Sequence, residues 1–151
     1  MRAVVQRVTR ARVTVGGDTI GEIGPGLAVL VGAAQGDGPA DARALAAKLA
    51  GLRLFADAEG RMNLSVSEVG GEVLVVSQFT LLADLSRGRR PSFTGAGPPD
   101  EAEPLVDTVV SELRQLGLPC ATGRFGAHME VDLVNDGPVT LVIEVSGGKV
   151  R

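Results

Sequence analysis

A run of four apolar residues in the middle of the chain is followed at once by polar residues. Residues 73–76 read Val-Leu-Val-Val, the pattern of a strand buried on both faces of a sheet. Polar side chains then appear at Ser77, Gln78 and Thr80, around Phe79. A buried hydroxyl or amide without a partner costs about 1–3 kcal/mol, so a core strand gains nothing from them. The pattern predicts that the strand opens into a wet cleft or a functional site, or that these groups bond to nearby backbone.

Short apolar runs separated by glycine turns fill the first third of the chain. Residues 2–8 and 11–15 are predicted to form two strands, and residues 16–18, Gly-Gly-Asp, a turn. Residues 19–23 and 27–31 read as two further strands. Strands joined by tight turns in this way predict an antiparallel meander.

Two later segments have helical periodicity. Residues 40–52 place leucines at i, i+4 and i+7, which predicts a helix with one apolar face. Residues 100–116 carry a second stripe, formed by Leu105, Val106, Val109, Val110, Leu113 and Leu116. Between the two helices, residues 84–99 are rich in Gly, Pro, Ser and Arg and show no period, which is typical of a functional or disordered loop.

The last third alternates between apolar and polar residues. Residues 129–133 and 139–145 are predicted to be strands, interrupted by Asn-Asp-Gly-Pro at 135–138. Residues 146–151 are expected to form a mobile tail. Two helices among many hairpin-connected strands predict one α+β domain over residues 1–151. Its architecture is expected to be a mostly antiparallel sheet or open barrel with two main helices packed on it.

Composition narrows the class of protein. The chain has 151 residues, 44% of them hydrophobic, with one cysteine and no apolar run of the ~20 residues that would span a membrane. The first residues also lack the apolar segment of a signal peptide. We therefore expect a cytoplasmic protein without a membrane partner.

The charge distribution is uneven. The net charge of −3 argues against bulk binding of nucleic acid. The arginines nevertheless fall into two groups. These groups either belong to a solvated surface or form two basic patches that bind a few phosphates. They are Arg2, Arg7, Arg10 and Arg12 in the first twelve residues, and Arg87, Arg89 and Arg90 in the long loop.

Familiar catalytic motifs are missing. With His128 and Cys120 as the single histidine and cysteine, the sequence offers no pair of ligands at metal-binding spacing. It contains no Gly-x-Ser-x-Gly elbow, no phosphate-binding Walker loop and no dinucleotide fingerprint. What remains are three irregular polar patches at residues 77–81, 88–93 and 135–140.

At these patches the chain resembles the D-aminoacyl-tRNA deacylase family. Ser-Gln-Phe-Thr-Leu at 77–81 and Asn-Asp-Gly-Pro-Val-Thr at 135–140 are similar to the family's two signature motifs. The chain departs from the family in the longer tail after Val145 and in Pro104, neither of which touches a motif. Further similarities occur in the family's order at Gln6-Arg7-Val8, at residues 57–60 with 62–64, and at residues 90–93 and 122–127.

The resemblance implies a hydrolase that cleaves the ester between a D-amino acid, or glycine, and the terminal ribose of tRNA. It implies a homodimer that uses no cofactor, with a cis Gly137-Pro138 pair entering the partner subunit's site. The two carbonyls of that pair would hold the substrate's amino group, so that an L side chain would collide with the main chain. Glycine, which has no side chain to exclude, would pass.

The resemblance also assigns catalytic roles to the first motif. Backbone N–H groups around Phe79 and Thr80 would stabilise the oxyanion. The Thr80 hydroxyl would be either a nucleophile or a positioning group. The sequence places no evident base beside it, so we prefer attack assisted by the ribose 2′-OH, with Gln78 and Thr80 orienting the reaction. Ser77 is predicted to belong to the same catalytic set.

The same resemblance assigns binding roles outside that motif. Phe125 and Met129 would line an adenine pocket, although both also suit core packing. Arg7 would brace the Gly-Pro loop, and Arg89 or Arg90 would contact phosphates.

Two alternatives stay open at this point. A related editing domain would act on mischarged L-aminoacyl-tRNA and would need a trans Gly-Pro bond or a wider pocket. A non-enzymatic module for tRNA or amino acids would use Thr80 only as a structural residue.

Overall fold

A long strand organises the molecule. The computed structural model describes residues 1–151, and its first strand, β1, runs unbroken over Arg2–Val15. The prediction of two strands at 2–8 and 11–15 was therefore wrong. The chain does not turn between them, because the pairing with a neighbouring strand continues through two register shifts around Val8. The shifts let Val5 face one hydrophobic cluster and Ala11, six residues later, face the other, although residues an even number apart in a regular strand share one face.

The elements follow in chain order after β1. The two main helices are α1 (Pro39–Gly51) and α2 (Pro99–Gln115), each within one residue of its predicted bounds, and a 3₁₀ helix covers Phe79–Leu82. The other strands are β2 (Asp18–Ile23), β3 (Gly26–Gly32), β4 (Phe55–Ala56), β5 (Met62–Leu64), β6 (Glu72–Ser77), β7 (Cys120–Thr122), β8 (Glu130–Ser146) and β9 (Lys149–Val150).

Seven strands form one mixed sheet in the order β7-β6-β3-β1-β8-β9, with β2 also paired to β1. β1 is antiparallel to β2, β3 and β8, whereas β6 is parallel to β3 and β7. The predicted meander was wrong, because β2 and β3 do not pair with each other. β2 pairs with the second half of β1 and β3 with the first half, which the length of β1 permits.

The sheet curls until β2 approaches β7. A Cβ at Gly21 of β2 would overlap the backbone carbonyl oxygen of Thr122 in β7, so only glycine allows this approach. The curl encloses a small cluster on the inner face, made of Val8, Ala11, Val13, Ile23, Ala28, Leu74 and Val76. The fold is thus an α+β half-barrel, which confirms the predicted class.

Both helices cover the other face of the sheet. Val73 and Val75 of β6 belong to the 25-residue cluster beneath the helices, whereas Leu74 and Val76 belong to the inner cluster. All four side chains are buried, which confirms that this strand is covered on both faces. Neither helix, nor any other, is long and apolar enough to cross a membrane.

The carboxyl-terminal third is one strand, not the predicted two. β8 continues through residues 135–139, which form an irregular bulge where the pairing with β1 shifts register. The tail was expected to be mobile, but β9 pairs with the end of β8. The Gly148 N–H also donates to Asp41 Oδ1 of α1 at 2.8 Å, so the tail is tied to the body of the protein.

Candidate functional site

The polar segment after β6 marks the point where the strand leaves the sheet. The Gln78 N–H still donates to Val31 O of β3 at 2.8 Å, and the chain then turns into the 3₁₀ helix. Phe79 is 56% exposed and Thr80 is exposed beside it. The Gln78 side-chain amide donates to the Thr80 hydroxyl, which orients that hydroxyl. The abrupt change from apolar to polar residues thus coincides with the emergence of the chain at the surface.

Two backbone donors are free at the start of the 3₁₀ helix. The N–H groups of Phe79 and Thr80 have no acceptor within the chain, whereas the Leu81 N–H donates to Gln78 O at 3.3 Å. Unpaired N–H groups are expected in the first turn of any helix. Two adjacent free donors at the surface can bind the oxyanion that forms when an ester is attacked.

Gly32, at the end of β3, lets the 3₁₀ helix lie close to the sheet. A Cβ at this position would lie 2.7 Å from Gln78 O and would also collide with the Leu82 side chain. Sequence reasoning missed this residue. Its signal was a glycine that directly follows a buried apolar strand, where close approach of another backbone is a common cause.

The 3₁₀ helix is also joined to the long loop at residues 83–98. The rings of Phe79 and Phe93 meet edge to face, with centroids 5.1 Å apart and planes at 72°. Asp84 and Ser92 exchange backbone hydrogen bonds of 2.7 and 3.0 Å across the loop. The predicted phosphate ligands Arg89 and Arg90 lie at its exposed tip, and neither forms an ion pair.

The carboxylate of Asp84 stabilises the same loop. Its Oδ1 accepts from the Ser86 N–H at 2.9 Å. Hydrogen bonds from the Ser86 side chain and backbone lower the pKa of Asp84, so the carboxylate stays charged at the base of the arginine-bearing tip.

The fold brings Ser77 and Phe125 together. Both line a small cavity of about 50 Å³ beneath α2, with Val106 and Val110 on its opposite wall. Met129 lies on the adjoining loop, where its sulfur accepts from the Arg124 N–H at 3.4 Å. The predicted pocket residues are thus neighbours of the first motif, although both also contact the hydrophobic clusters.

The second motif lies in the bulge of β8. The Gly137-Pro138 peptide bond is cis, and both residues are exposed. The Asn135 side chain spans the bulge, donating to Val139 O at 3.1 Å and accepting from the Val139 N–H at 2.9 Å. These two bonds hold the ends of the loop together.

Arg7 supports the same bulge from β1. Its Nε donates to Asp136 O at 2.9 Å, and its Nη1 donates to Leu54 O at 2.6 Å. The guanidinium also lies 3.4 Å from the Asp136 carboxylate, and the arginine side chain is only 15% exposed. The main chain before Gly137-Pro138 is therefore bonded to a side chain that is itself fixed.

Within one chain the two motifs are bonded to different residues of β1. Arg2 of β1 bonds to Leu81 O of the 3₁₀ helix at 2.7 Å, whereas Arg7 bonds to the bulge. Five residues of extended strand separate these two arginines, which is about 17 Å. Gly137-Pro138 thus lies beside the middle of β1, whereas the 3₁₀ helix that carries Thr80 lies beside its first residue.

The side chains that most often carry metal or thiol chemistry are dispersed. No group of three or more His, Cys, Asp or Glu residues is placed to hold a metal ion. Cys120 is partly buried, and burial raises the pKa of its thiol, so the less reactive protonated form dominates. The chemistry available at the site is that of backbone donors, hydroxyls and amides.

Comparison with known proteins shows which family this chain resembles. A family model described as D-Tyr-tRNA(Tyr) deacylase matches residues 4–144. A D-aminoacyl-tRNA deacylase of Heliobacterium modesticaldum is 66% identical over 149 residues, 99% of this chain and 99% of that protein. A D-aminoacyl-tRNA deacylase of Deinococcus radiodurans is 59% identical over 145 residues, 96% of this chain and 100% of that protein.

Solved structures are similar as well. One titled c-Myc DNA Unwinding Element Binding Protein is 42% identical with a TM-score of 0.89, over 95% of this chain and 98% of that one. A probable eukaryotic D-amino acid tRNA deacylase has a TM-score of 0.76 over 93% of this chain and 97% of that one. At 17% identity the latter shows a shared fold alone.

Proposed function

The chain belongs to the D-aminoacyl-tRNA deacylase family, and on that premise we propose how it hydrolyses the ester that joins a D-amino acid to tRNA. It is an enzyme, a hydrolase of carboxylic ester bonds. The observation that carries the mechanism is the pair of free N–H groups at Phe79 and Thr80. Membership of the family sets aside the non-enzymatic module.

Catalysis begins with the ester carbonyl directed at these two N–H groups. When the carbonyl carbon is attacked, negative charge develops on its oxygen, and the donors stabilise it without having to reorganise. One such donor is worth about 10²–10³ in rate. Ser77 and Gln78 hold the segment in place from the end of β6.

The attacking water is activated by the substrate's own ribose 2′-OH. Thr80 is a poor nucleophile here, because its hydroxyl is bonded to the Gln78 amide and to no base that would take its proton. Thr80 and Gln78 therefore orient the ester. The products are the free D-amino acid and tRNA, and no metal or other cofactor takes part.

The terminal adenine binds beside Phe125 and Met129. The cavity at Ser77 and Phe125 holds only about 50 Å³, so the base lies at its mouth or opens it. Phe125 offers an aromatic face for stacking, worth about 1–3 kcal/mol per base. Arg89 and Arg90, exposed and without ion pairs, contact phosphates of the tRNA.

Chirality is selected by the main chain of Gly137-Pro138 in a homodimer. Within one chain this pair is bonded to Arg7, whereas the 3₁₀ helix is bonded to Arg2, five residues earlier on β1, so the pair serves the site of a second subunit. The carbonyls of Gly137 and Pro138 hold the α-amino group, and the hydrogen bonds from Arg7 and Asn135 keep this loop rigid. A D side chain then points away from the main chain, an L side chain collides with it, and glycine is accepted.

Hydrolysis of tRNA charged with D-tyrosine, L-tyrosine or glycine tests this function. Release of D-tyrosine and glycine, with L-tyrosine retained, is the expected result. Preferential release of an L-amino acid would instead favour the related editing activity, and binding without turnover would contradict the proposed mechanism.

Substitution of Gly137 tests the clamp itself. In Gly137→Ala the new Cβ would lie 2.9 Å from Val139 Cγ2, and closer still to Val139 N, so the loop must shift. The ratio of D-tyrosine to L-tyrosine release should fall by about 10²-fold, because such shifts misplace the amino group. Gly51→Ala is the matched control, since a Cβ there meets nothing within 4 Å. If Gly137→Ala discriminated between D-tyrosine and L-tyrosine as well as the wild type does, the proposed clamp would be contradicted.

A further inference from the structure

A groove of about 520 Å³ lies between α2 and β7, and the mechanism above leaves it unused. A volume of this size is typical of sites for small organic ligands. Its lining is mostly polar, with one hydrophobic residue. The lining residues are Asp107, Val110, Ser111, Arg114, Gln115 and Thr122.

The groove is continuous with the candidate active site. Asp107, Val110 and Thr122 line both the groove and the small cavity that contains Ser77 and Phe125. One end of the groove therefore opens where the terminal adenosine is proposed to bind. A strand of nucleic acid whose last ester lies at the 3₁₀ helix meets this groove directly upstream.

The polar residues of α2 form a stripe along the groove. Asp107, Ser111 and Arg114 are spaced at i, i+4 and i+7, so they share one face of the helix over about 10 Å. Asp107 stands at the end nearest Phe125, and Arg114 at the far end. The groove thus presents an anion first, a hydroxyl next and a cation last.

Arg114 is placed to bind an anion. Its Nη2 donates to Cys120 O of β7 at 2.9 Å, which holds the guanidinium across the groove. No carboxylate forms an ion pair with it, so its charge is uncompensated and its other N–H groups are available. A planar guanidinium with free donors is well suited to phosphate.

Asp107 complements a different part of a nucleotide. It is exposed and forms no ion pair in the chain. A carboxylate accepts hydrogen bonds from a ribose hydroxyl or from the exocyclic amine of a base, and it repels phosphate. Arg114 and Asp107 together therefore match the two ends of one nucleotide.

We propose that the groove binds the nucleotide immediately 5′ of the terminal adenosine. Arg114 contacts its phosphate, and Asp107 accepts from its sugar hydroxyl or base amine. The inference rests on the proposed function, because the position of the reacting ester decides which nucleotide reaches the groove. It adds a binding subsite that determines how strongly the enzyme prefers tRNA over a charged adenosine.

The test compares two substrates that differ only upstream of the ester. One is D-tyrosyl-tRNA, and the other is 3′-O-D-tyrosyl-adenosine, which lacks the nucleotide in question. In Arg114→Gln the ratio of kcat/KM for the tRNA to kcat/KM for the adenosine ester should fall about 10-fold, the value of one charge-assisted contact. The slope of log kcat/KM for tRNA against log salt should become shallower by about 0.7, as expected for one phosphate of a single strand.

Two further variants make the result decisive. Arg43→Gln is the matched control, because Arg43 is exposed on α1 outside the groove and its loss changes the net charge equally. Ser111→Tyr, at an exposed helix position, fills the groove and should lower the same ratio with little change in thermal stability.

The outcomes separate the two proposals. Normal turnover of both substrates with an unchanged ratio in Arg114→Gln and Ser111→Tyr would overturn the subsite alone. Equal losses of kcat/KM on both substrates would mean that the groove holds the adenosine itself. That result would also overturn the proposed subsite. A wild-type protein that hydrolyses neither substrate would overturn the proposed function, and the subsite with it.

Discussion

The chemistry of the site depends on which hydrogen-bonding groups of single residues have no partner within the chain. Phe79 and Thr80 contribute main-chain N–H groups, and the Thr80 hydroxyl is already engaged with Gln78. A hydroxyl that is oriented but has no base beside it positions a substrate better than it attacks one. At the residue scale, the proposed reaction therefore depends on the backbone of the 3₁₀ helix and on the substrate's own hydroxyl.

Replacement of Thr80 separates positioning from covalent catalysis. Thr80→Ala should keep kcat for D-tyrosyl-tRNA within about 10-fold of wild type, because the oxyanion donors and the ribose 2′-OH remain. With the wild-type enzyme, kcat for a tRNA that ends in 2′-deoxyadenosine should be lower by about 10²–10⁴-fold, which is the usual contribution of a proton-transfer group. Loss of about 10⁴-fold or more in Thr80→Ala with binding intact would indicate that Thr80 is the nucleophile.

At the scale of elements, the site depends on how closely its segments meet. The 3₁₀ helix lies against the end of β3 because Gly32 has no side chain, and Phe93 holds it from the loop. The bulge of β8 is fixed in a similar way by Arg7 and Asn135. Each motif is thus positioned by a neighbouring element of the sheet.

Enlargement of Gly32 should move the oxyanion donors. In Gly32→Ala the added methyl group meets Gln78 O and Leu82, so the 3₁₀ helix must retreat. We expect kcat to fall about 10²-fold and stability to fall by about 1–3 kcal/mol, typical of overpacking. Steady-state kinetics and denaturant unfolding measure the two effects. Gly51→Ala should change neither, and an unaffected kcat in Gly32→Ala would show that the donors do not depend on this contact.

The carboxylate of Asp41 links α1 to the tail. It accepts from the Gly148 N–H at 2.8 Å and, through its other oxygen, from the Gly38 N–H at 2.8 Å. The bond from Gly148, followed by the one from Gly38, lowers the pKa of this buried group despite the opposing effect of burial. The charged form is therefore the one that the folded state stabilises.

Removal of that charge should produce a stability loss that depends on pH. Because the folded pKa lies below the unfolded value of about 3.9, the contribution of Asp41 is present above that pH and lost as the pH falls through the folded pKa. Asp41→Asn keeps one of the two acceptors, so Tm should drop by about 2–4 °C at pH 7. The difference from wild type should shrink below about pH 4. Thermal melts from pH 7 to pH 2.5 test this, with the exposed Asp18→Asn as control; a constant difference would contradict it.

At the scale of the whole molecule, the proposed function requires a second subunit. The Gly137-Pro138 loop is exposed and bonded to Arg7 of its own chain, whereas the 3₁₀ helix that carries the oxyanion donors is bonded to Arg2, five residues earlier. A homodimer in which each subunit lends this loop to the other would complete two identical sites.

Mixed dimers test this exchange directly. Gly32→Ala impairs the donors and Gly137→Ala impairs the loop, so each homodimer should be defective. A dimer with one subunit of each kind has one site that combines intact donors with an intact loop. It should recover D-selective turnover at about half the wild-type rate per dimer, provided that the sites act independently. No recovery in a purified mixed dimer would mean that donors and loop act within one chain.

The local pattern of apolar and polar residues in the sequence determined most of the secondary structure of this protein. Periodicities of two and of three to four residues predicted most strands and both helices, because burial of one face depends on neighbours in sequence. The polar residues after Val76 predicted where a strand meets solvent. The order of short motifs, including Ser77–Thr80 and Gly137-Pro138, was enough to indicate the family.

Tertiary structure decided what depends on distant partners. β1 runs unbroken and takes both β2 and β3 along one side, because register is set by pairing with other strands and not by the strand itself. The role of Gly32, the groove on α2 and the separation of the two motifs likewise depend on residues far apart in the chain. Sequence pattern reports which faces are buried, and only the folded sheet determines which residues meet.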